Sequence, residues 1–501
     1  MIKIKKILIA NRGEISLRII RTAKEMGIKT VAVYSEADRM AMHVRAADEA
    51  VCLGPAASSQ SYLLGDKIIQ VAQELQVDAI HPGYGFLSEN ASFARKVREA
   101  GLIFIGPSPE SIEIMGNKVA ARLAVAKYNI PMVPGTEEAI SDIPAAKNKA
   151  EEIGYPILIK ASAGGGGKGM RIVENEEDFE PQMQRAISEA ESAFGDGSVF
   201  IEKYLGSPRH IEIQVLGDQY GNIVHLFERE CSIQRRHQKV IEEAPSSALD
   251  EAKRKAMGEA AIRVAKACNY YSAGTVEFIV DEKLDFFFLE MNTRLQVEHP
   301  VTELITGKDL VKEQILIAEG KALSFVQDDL KIQGHAIEVR VYAEDPKNNF
   351  LPDIGRLDVY NRPQGPGIRV DDGFEQGMEI PIYYDPLIGK LITYHDTREG
   401  AVHRMIRAID EFQIIGLETT LTFCRFVMQH QAFLSGKFDT KFIDRYFSPE
   451  MLEAEFTKEE TDLLAAIGVL LHETNKATTK GIKLETPANV ASKWKNRLNN
   501  D

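Results

Sequence analysis

The chain has 501 residues, enough for about three domains of ordinary size, and its 44% hydrophobic and 27% charged residues are those of a globular protein. With 60 Lys and Arg against 74 Asp and Glu, its formal charge of −14 disfavours nonspecific binding to nucleic acid or to an anionic membrane surface. No apolar run reaches membrane-spanning length, Asn11-Arg-Gly-Glu14 breaks the first apolar run too soon for a signal peptide, and Cys52, Cys231, Cys268 and Cys424 have neither metal-site nor disulfide spacing, so a cytoplasmic protein is expected.

From Lys5 to about Gly116, short apolar runs alternate with amphipathic segments. Lys6 to Ala10, Thr30 to Tyr34, Asp78 to Ile80 and Leu102 to Ile105 read as strands, and Ile15 to Met26 reads as a helix. Such alternation predicts a parallel sheet covered by helices. The first turn lacks G-x-G-x-x-G, which disfavours a dinucleotide enzyme. His81-Pro-Gly-Tyr-Gly-Phe-Leu-Ser-Glu-Asn90 follows a strand, where open α/β sheets bind ligands, although a structural turn would have the same composition.

Tyr155 to Ala161 and Arg171 to Val173 read as strands flanking Gly164-Gly-Gly-Gly-Lys-Gly-Met170. Without Cβ atoms, backbone N–H groups can approach phosphate oxygens closely, so a hairpin folding over a nucleotide is expected rather than a linker. It is not a P-loop, because Lys168 is followed by Gly169 and then by an extended segment. Lys118, in a Gly-Asn-Lys turn, and Lys160, at a strand end, are either solvated charges or ligands of one triphosphate. Val199 to Leu205 and His210 to Leu216 are further strands. The block Glu228 to Lys239 contains Arg235, Arg236, His237 and Lys239, and its apolar flanks and Pro245 favour an anion pocket over a solvated face. Asp250 to Cys268 is an amphipathic helix.

Phe286-Phe-Phe-Leu-Glu-Met-Asn-Thr-Arg-Leu-Gln-Val-Glu-His-Pro300 begins as a buried strand. If it stays extended, Glu290, Asn292, Arg294, Gln296 and Glu298 share one face. A turn around Glu282 to Asp285 would bring Thr275 to Val280 alongside and place Glu277 opposite Glu290, two carboxylates that repel unless a cation lies between them. An exposed edge hairpin is the blander alternative. Asp309 to Glu319 is helical, and Gln333 to Ala343 opens a β-rich region in which Ala336, Glu338, Arg340 and Tyr342 share a face. After Met451, Thr457-Lys-Glu-Glu460 resembles a capping box before the apolar Leu463 to Leu471, and Asn475 to Gly481 reads as loose.

Two lysines, a glycine hairpin and facing glutamates describe an ATP site with carboxylate-held Mg²⁺ (or Mn²⁺). The combination resembles the ATP-grasp superfamily and, within it, biotin carboxylase, from Lys5 to about Phe447. The motifs that carry the resemblance are Ile9-Ala-Asn-Arg-Gly-Glu14, His81 to Asn90, Gly164 to Met170, Gln234-Arg-Arg-His-Gln-Lys239 and Glu290 to Pro300. It implies an α/β and α+β chain: a Rossmann-like N-terminal domain (1–114), an ATP-grasp domain (115–334, with a lid at about 132–204), an α+β C-terminal domain (335–447) and an extension (448–501).

The resemblance also implies roles. Lys118, Lys160, His210 and His237 would contact nucleotide phosphates or ribose, with Gly165 and Gly166 in the closing hairpin and Glu202, Lys203 and Leu205 on the hinge that holds adenine. Glu277, Glu290 and Asn292 would bind Mg²⁺. Bicarbonate would sit among Lys239, Arg294, Gln296 and the backbone of Val297, with Glu298 as general base. Tyr84 and Gly85 would help to seat biotin, Gln234 would line the site, and Arg340 would stabilise the biotin enolate. No Met-Lys dipeptide is present, so biotin is expected on a separate carrier protein, with a carboxyltransferase subunit in trans. A homodimer is expected through a surface containing Arg18 and Arg21, with Pro366 where an interfacial aromatic can occur. Rival readings are a carbamoyl-phosphate synthetase-like ligase, disfavoured by the lack of a duplicated half, and a catalytically inactive ATP-binding subunit, disfavoured by Lys160, Glu277, Glu290, Arg294 and Glu298.

Overall fold

Alternate residues of the first strand, Lys6–Ile9, point into different cores, which explains why the run is apolar throughout. Ile7 and Ile9 pack with Ile15 and Ile19 of the helix Gly13–Glu25, whereas Leu8 packs with Val31, Ile68 and Ala72 on the other side. In the computed structural model this strand is the centre of a five-stranded parallel sheet, ordered Glu49–Gly54, Lys29–Ser35, Lys6–Ile9, Ala79–His81 and Ile103–Phe104. Glu49–Gly54, at the sheet edge and only partly buried, was not anticipated from sequence, although Ala50 to Leu53 form a short apolar run. The structure describes residues 3–136, 138–161, 170–194, 197–452 and 458–480.

A second, eight-stranded sheet runs Phe286–Asn292, Ser272–Val280, Arg209–Gly217, Ile223–Arg235, Gln238–Ala244, His335–Tyr342, Leu387–His395 and Ile368–Asp372, with neighbours antiparallel. The expected division at 334/335 therefore falls between hydrogen-bonded strands of one sheet, where Glu242 lies opposite Glu338. One apolar face packs Ile211, Ile213, Val276 and Phe278 against the helix Glu251–Ala267, which extends from its cap Asp250 to Cys268 as expected. Farther along, Val339, Val341 and Leu391 pack against Val402 and Met405 of the helix Arg398–Glu411.

A three-stranded antiparallel sheet, Met170–Val173, Ile157–Ala161 and Val199–Lys203, rests on the helices Ile143–Ile153 and Phe179–Phe194. The first two strands pair as the predicted hairpin requires. Its tip, with Gly165, Gly166 and Lys168, lies outside the described residues.

Three local expectations are corrected. Lys118 is the first residue of the helix Lys118–Ala126, because the Asn117 side chain accepts from the Ala120 amide and caps a new helix there. The segment after Asn292 does not stay extended: it turns, and Glu298 caps the helix His299–Thr306, with Pro300 preset for the first turn. In the second unit, Leu452–Asp501, the helix Lys458–Lys480 includes Asn475 to Lys480, a stretch with neither Gly nor Pro to end it earlier.

Candidate active site

Period-two alternation explains how Glu212, Gln214, Arg229, Thr275 and Glu277 collect on one face of the large sheet while Ile211, Ile213, Val276 and Phe278 point to the other. Glu212 is paired with Glu277 on one side and with Arg229 on the other, and Gln214 is paired with Thr275. All five side chains are buried. Arg229 satisfies them: it donates to Glu212, to Gln214 Oε1 at 2.7 Å, to Thr275 Oγ1 at 3.0 Å and to Thr302 Oγ1 at 2.9 Å.

Next to this buried knot stands Lys239. Its ammonium donates to Glu212, to Glu277 Oε1 at 2.9 Å and to Glu298 Oε1 at 2.8 Å. Arg340 reaches Glu298 from the other side, Nη2 to Oε2 at 3.0 Å, while its Nε donates to Glu242 Oε1 at 2.6 Å. Burial opposes ionisation of Glu298, yet Lys239, then Arg340 and Arg229, hold its carboxyl well below the ordinary value. Burial likewise opposes the charge on Glu277, and Lys239 with His210 overcomes it. Both carboxylates are thus charged at neutral pH. Glu242 is not held so firmly: burial, only partly offset by Arg340, pushes it to about 7.

Arg294 lies at the rim. Its Nε donates to Glu89 Oε2 at 2.7 Å, Nη1 to Gln296 Oε1 at 3.1 Å and Nη2 to Asn292 Oδ1 at 3.1 Å. Asn292 and Gln296 in turn donate to Glu277 Oε1 at 2.9 and 3.3 Å. The structure therefore brings Lys239, Glu277, Asn292, Arg294, Gln296, Glu298 and Arg340 into one network, joined by His210, whose Nε2 is 2.9 Å from Glu277 Oε2, while the Val297 carbonyl between Gln296 and Glu298 accepts from Lys390. The turn after Asn292 accomplishes what a straight strand could not, because it folds Glu298 back toward Lys239.

Glu290 lies opposite Glu277 in the strand register, as expected, but opens to solvent. Desolvation on its inner side and the charge of Glu277 raise its carboxyl above the ordinary value, while Lys118 opposes the rise. Facing carboxylates with an amide beside them suit an oxygen-seeking divalent cation. Among the described residues, His210, Glu212 and Glu277 also place ligand atoms within 4.8 Å of one another.

The remaining expected residues lie elsewhere in the first unit. Lys160 and Arg122 both bind Glu202, the latter at 2.6 Å, on the three-stranded sheet. Lys203 donates to the carbonyls of Gly154 and Tyr155 at 2.8 and 2.9 Å, and Leu205 follows that strand half-buried. His237 is exposed at the hairpin turn with φ 67°, and Gln234 donates to the Cys231 carbonyl at 2.8 Å. Tyr84 hydrogen-bonds Glu14, and Gly85 has φ 67° in the loop after Ala79–His81. Sequence reading missed Glu89, Glu212, Arg229, Glu242 and Lys390. The period-two run His210-Ile-Glu-Ile-Gln214 held a signal for Glu212, since a polar residue between buried aliphatics on a central strand has to be partnered.

The chain matches three family descriptions: "Biotin carboxylase, N-terminal domain" over residues 3–112, "Carbamoyl-phosphate synthase L chain, ATP binding domain" over 117–326 and "Biotin carboxylase C-terminal domain" over 338–445. It is 53% identical over 444 residues to Biotin carboxylase 1 of Bacillus subtilis (strain 168), covering 88% of this chain and 99% of that one. It is 52% identical over 464 residues to the mitochondrial propionyl-CoA carboxylase alpha chain of Homo sapiens, covering 92% of this chain and 64% of the human one. Among solved structures, the Campylobacter jejuni biotin carboxylase complexed with β-γ-ATP superposes with a TM-score of 0.83 at 48% identity, over 89% of this chain and 99% of that one. The Hydrogenobacter thermophilus 2-oxoglutarate carboxylase biotin carboxylase domain dimer, solved with MgADP, ADP and bicarbonate, gives 0.83 at 48% identity over 90% and 99%.

Proposed function

Because the chain belongs to the biotin carboxylase family and is a ligase that carboxylates biotin with ATP and bicarbonate, we propose that the network around Glu298 is where bicarbonate is activated. One observation carries this reading. The fully buried Glu298 carboxylate is held between Lys239 and Arg340, so one acid–base group adjoins two cations suited to two successive anions.

Arg294, Gln296, Lys239 and the Val297 backbone receive bicarbonate, the planar guanidinium donating in parallel to a small oxyanion. As bicarbonate and ATP draw Lys239 toward their own charges, Glu298 loses part of the cationic field that suppresses its basicity, and it takes the bicarbonate proton. The freed oxygen attacks the γ-phosphorus, giving carboxyphosphate and ADP. Carboxyphosphate separates into CO₂ and phosphate, phosphate takes the biotin ureido proton, and Arg340 balances the enolate charge while nitrogen attacks CO₂.

Glu277, Glu290 and Asn292 would hold magnesium, which when bound neutralises the triphosphate and aligns its terminal phosphate. Lys118, Lys160, His210 and His237 bind the nucleotide, Glu202, Lys203 and Leu205 form its adenine hinge, and the hairpin with Gly165 and Gly166 excludes water. Tyr84 and Gly85 help to seat biotin, and Gln234 lines the site.

Biotin arrives on a biotin carboxyl carrier protein, and a carboxyltransferase takes the carboxyl group onward. The chain spans about two-thirds of the length of the propionyl-CoA and methylcrotonoyl-CoA carboxylase alpha chains that it matches, which supports this assignment to a carboxylase assembly. A homodimer forms through a groove of about 390 Å³ lined by Arg18, Arg21, Thr22, Glu303, Arg369 and Asp371, whose paired charges leave a polar, shaped surface. Free cysteines suit a cytoplasmic setting, and no described helix is long and apolar enough to cross a membrane.

The test is ADP release by the purified chain. Bicarbonate-dependent release that free biotin stimulates is expected, and Glu298→Gln should lower it by about 10²-fold or more. Full activity in that variant would remove Glu298 from the base role.

A further inference from the structure

Lys390, in the strand Leu387–His395, has no exposed side-chain surface. Its ammonium donates to the Val297 carbonyl at 2.8 Å and lies 3.2 Å from Glu14 Oε1. The same Glu14 oxygen accepts the Tyr84 hydroxyl. Asp371 is paired with Lys390 across the strands, but Arg369 engages that carboxylate, with Nη2 at 2.7 Å. Glu14 is the partner left to Lys390 on the side of the first helix.

The fold brings Glu14 there by a close approach. Gly373 follows the strand Ile368–Asp372, and a Cβ on it would lie 2.8 Å from the Glu14 amide nitrogen. Only a residue without a side chain lets the start of the helix Gly13–Glu25 come so near. The cost of burying the ammonium is offset by Glu14 and by a carbonyl that no regular hydrogen-bond ladder uses. That carbonyl belongs to the peptide joining Val297 to Glu298, in the turn between Asn292 and the helix His299–Thr306.

We propose that Lys390, held by Glu14, is a positioning residue: it fixes the Val297–Glu298 peptide, so that the bicarbonate seat and its base keep one geometry, and through Glu14 and Tyr84 it ties that seat to the place where biotin docks. The proposal rests on the reading that bicarbonate binds at Arg294 to Glu298. The reacting carbon and the ureido nitrogen must meet within about 3–3.5 Å. A rigid link between the two seats, built from buried groups, serves that need without touching either substrate.

The variant Lys390→Met keeps the length of the stem and removes the donor. Because it leaves Glu14 without its cation, it is compared with the double variant Glu14→Gln/Lys390→Met, in which Glu14 is no longer a stranded charge. In ADP-release assays the double variant should melt close to the parent, raise the KM for bicarbonate about tenfold or more and leave the KM for ATP within about twofold. Lys390→Arg, which can still donate to the carbonyl, should recover most of the loss. A double variant that melts like the parent with the parent's KM for bicarbonate would overturn the proposal. If the double variant does not fold, Glu14→Gln alone decides: a raised KM for bicarbonate supports the link, and an unchanged one refutes it. Arg294→Ala separates the two readings. If it leaves the KM for bicarbonate unchanged, the seat itself is misplaced; if it raises that KM while the Lys390 variants do not, only the positioning role fails.

Discussion

Replacing Arg229 by Met should be among the most damaging single changes in the chain, although Arg229 touches no expected substrate. Its guanidinium is fully buried and binds Glu212, Gln214, Thr275 and Thr302, which lie on two neighbouring strands and one helix. Met matches much of its volume, so lost packing is a minor part of the cost. The larger part is Glu212, which burial already pushes toward the neutral form and which would keep only Lys239. Breaking a buried ion pair from one side costs about 3–5 kcal/mol. In a unit as large as Met1–Met451, this corresponds to a fall in melting temperature of roughly 5 °C. The double variant Arg229→Met/Glu212→Gln should recover part of the loss, because it leaves no unpaired charge. Thermal melting and urea unfolding of the parent, both single variants and the double variant form the assay. Equal melting of Arg229→Met and the parent, or a double variant less stable than the sum of the singles, would refute the reasoning. ADP release should fall as well, since Lys239 would be drawn from Glu298 toward Glu212.

Other groups give separable outcomes. Glu243 is buried, yet a hydrogen bond from His335 at 2.8 Å and the Arg398 guanidinium at 2.7 Å hold its carboxyl at about 2 against an ordinary 4.5. A depressed carboxylate stabilises the fold above its unfolded value and loses that contribution as pH falls toward its folded value, so about 3 kcal/mol should disappear between about pH 4.5 and 2. Glu243→Gln should show a shallower acid-unfolding slope in that window; an identical slope would count against the pairing. Gly258→Ala places a Cβ 2.4 Å from the His225 ring nitrogen and should lose about 1–3 kcal/mol by overpacking, despite the better helix former. Gly116→Ala, with open space at the new methyl, should be neutral or stabilising in the same urea assay. Glu277→Gln should raise the magnesium concentration needed for half-maximal ADP release about tenfold or more, and an unchanged requirement would remove it from the metal set.

What the sequence made legible was governed by short-range rules. Alternation exposed the parallel sheet around Lys6–Ile9, and the pairing of Glu277 with Glu290 followed from two strand patterns joined by a short turn. The helix capped by Asp250 followed from its apolar stripe. What stayed hidden depended on partners distant in the chain. Arg229 reads as one charge in a polar block until the fold sets Thr275 and Thr302 beside it. Lys390 looks like a lone lysine in the run Leu387–His395, and its meaning comes from Val297 and Glu14, 93 and 376 positions away (390 − 297 and 390 − 14). The folding back after Asn292 was also hidden, because alternation of polar residues is the same whether a segment runs straight or bends at a helix cap.

The hydrogen-bonded ladder between Gln238–Ala244 and His335–Tyr342 limits how this enzyme can be recombined. A chimera that joins the first 334 residues to the remainder of a relative would have to match a strand register as well as a linker. A one-residue offset would turn the Arg340 and Glu338 side chains to the opposite face of the sheet. Lys239 and Arg340 are therefore inherited together: the unit that natural or laboratory shuffling can exchange without loss contains both strands.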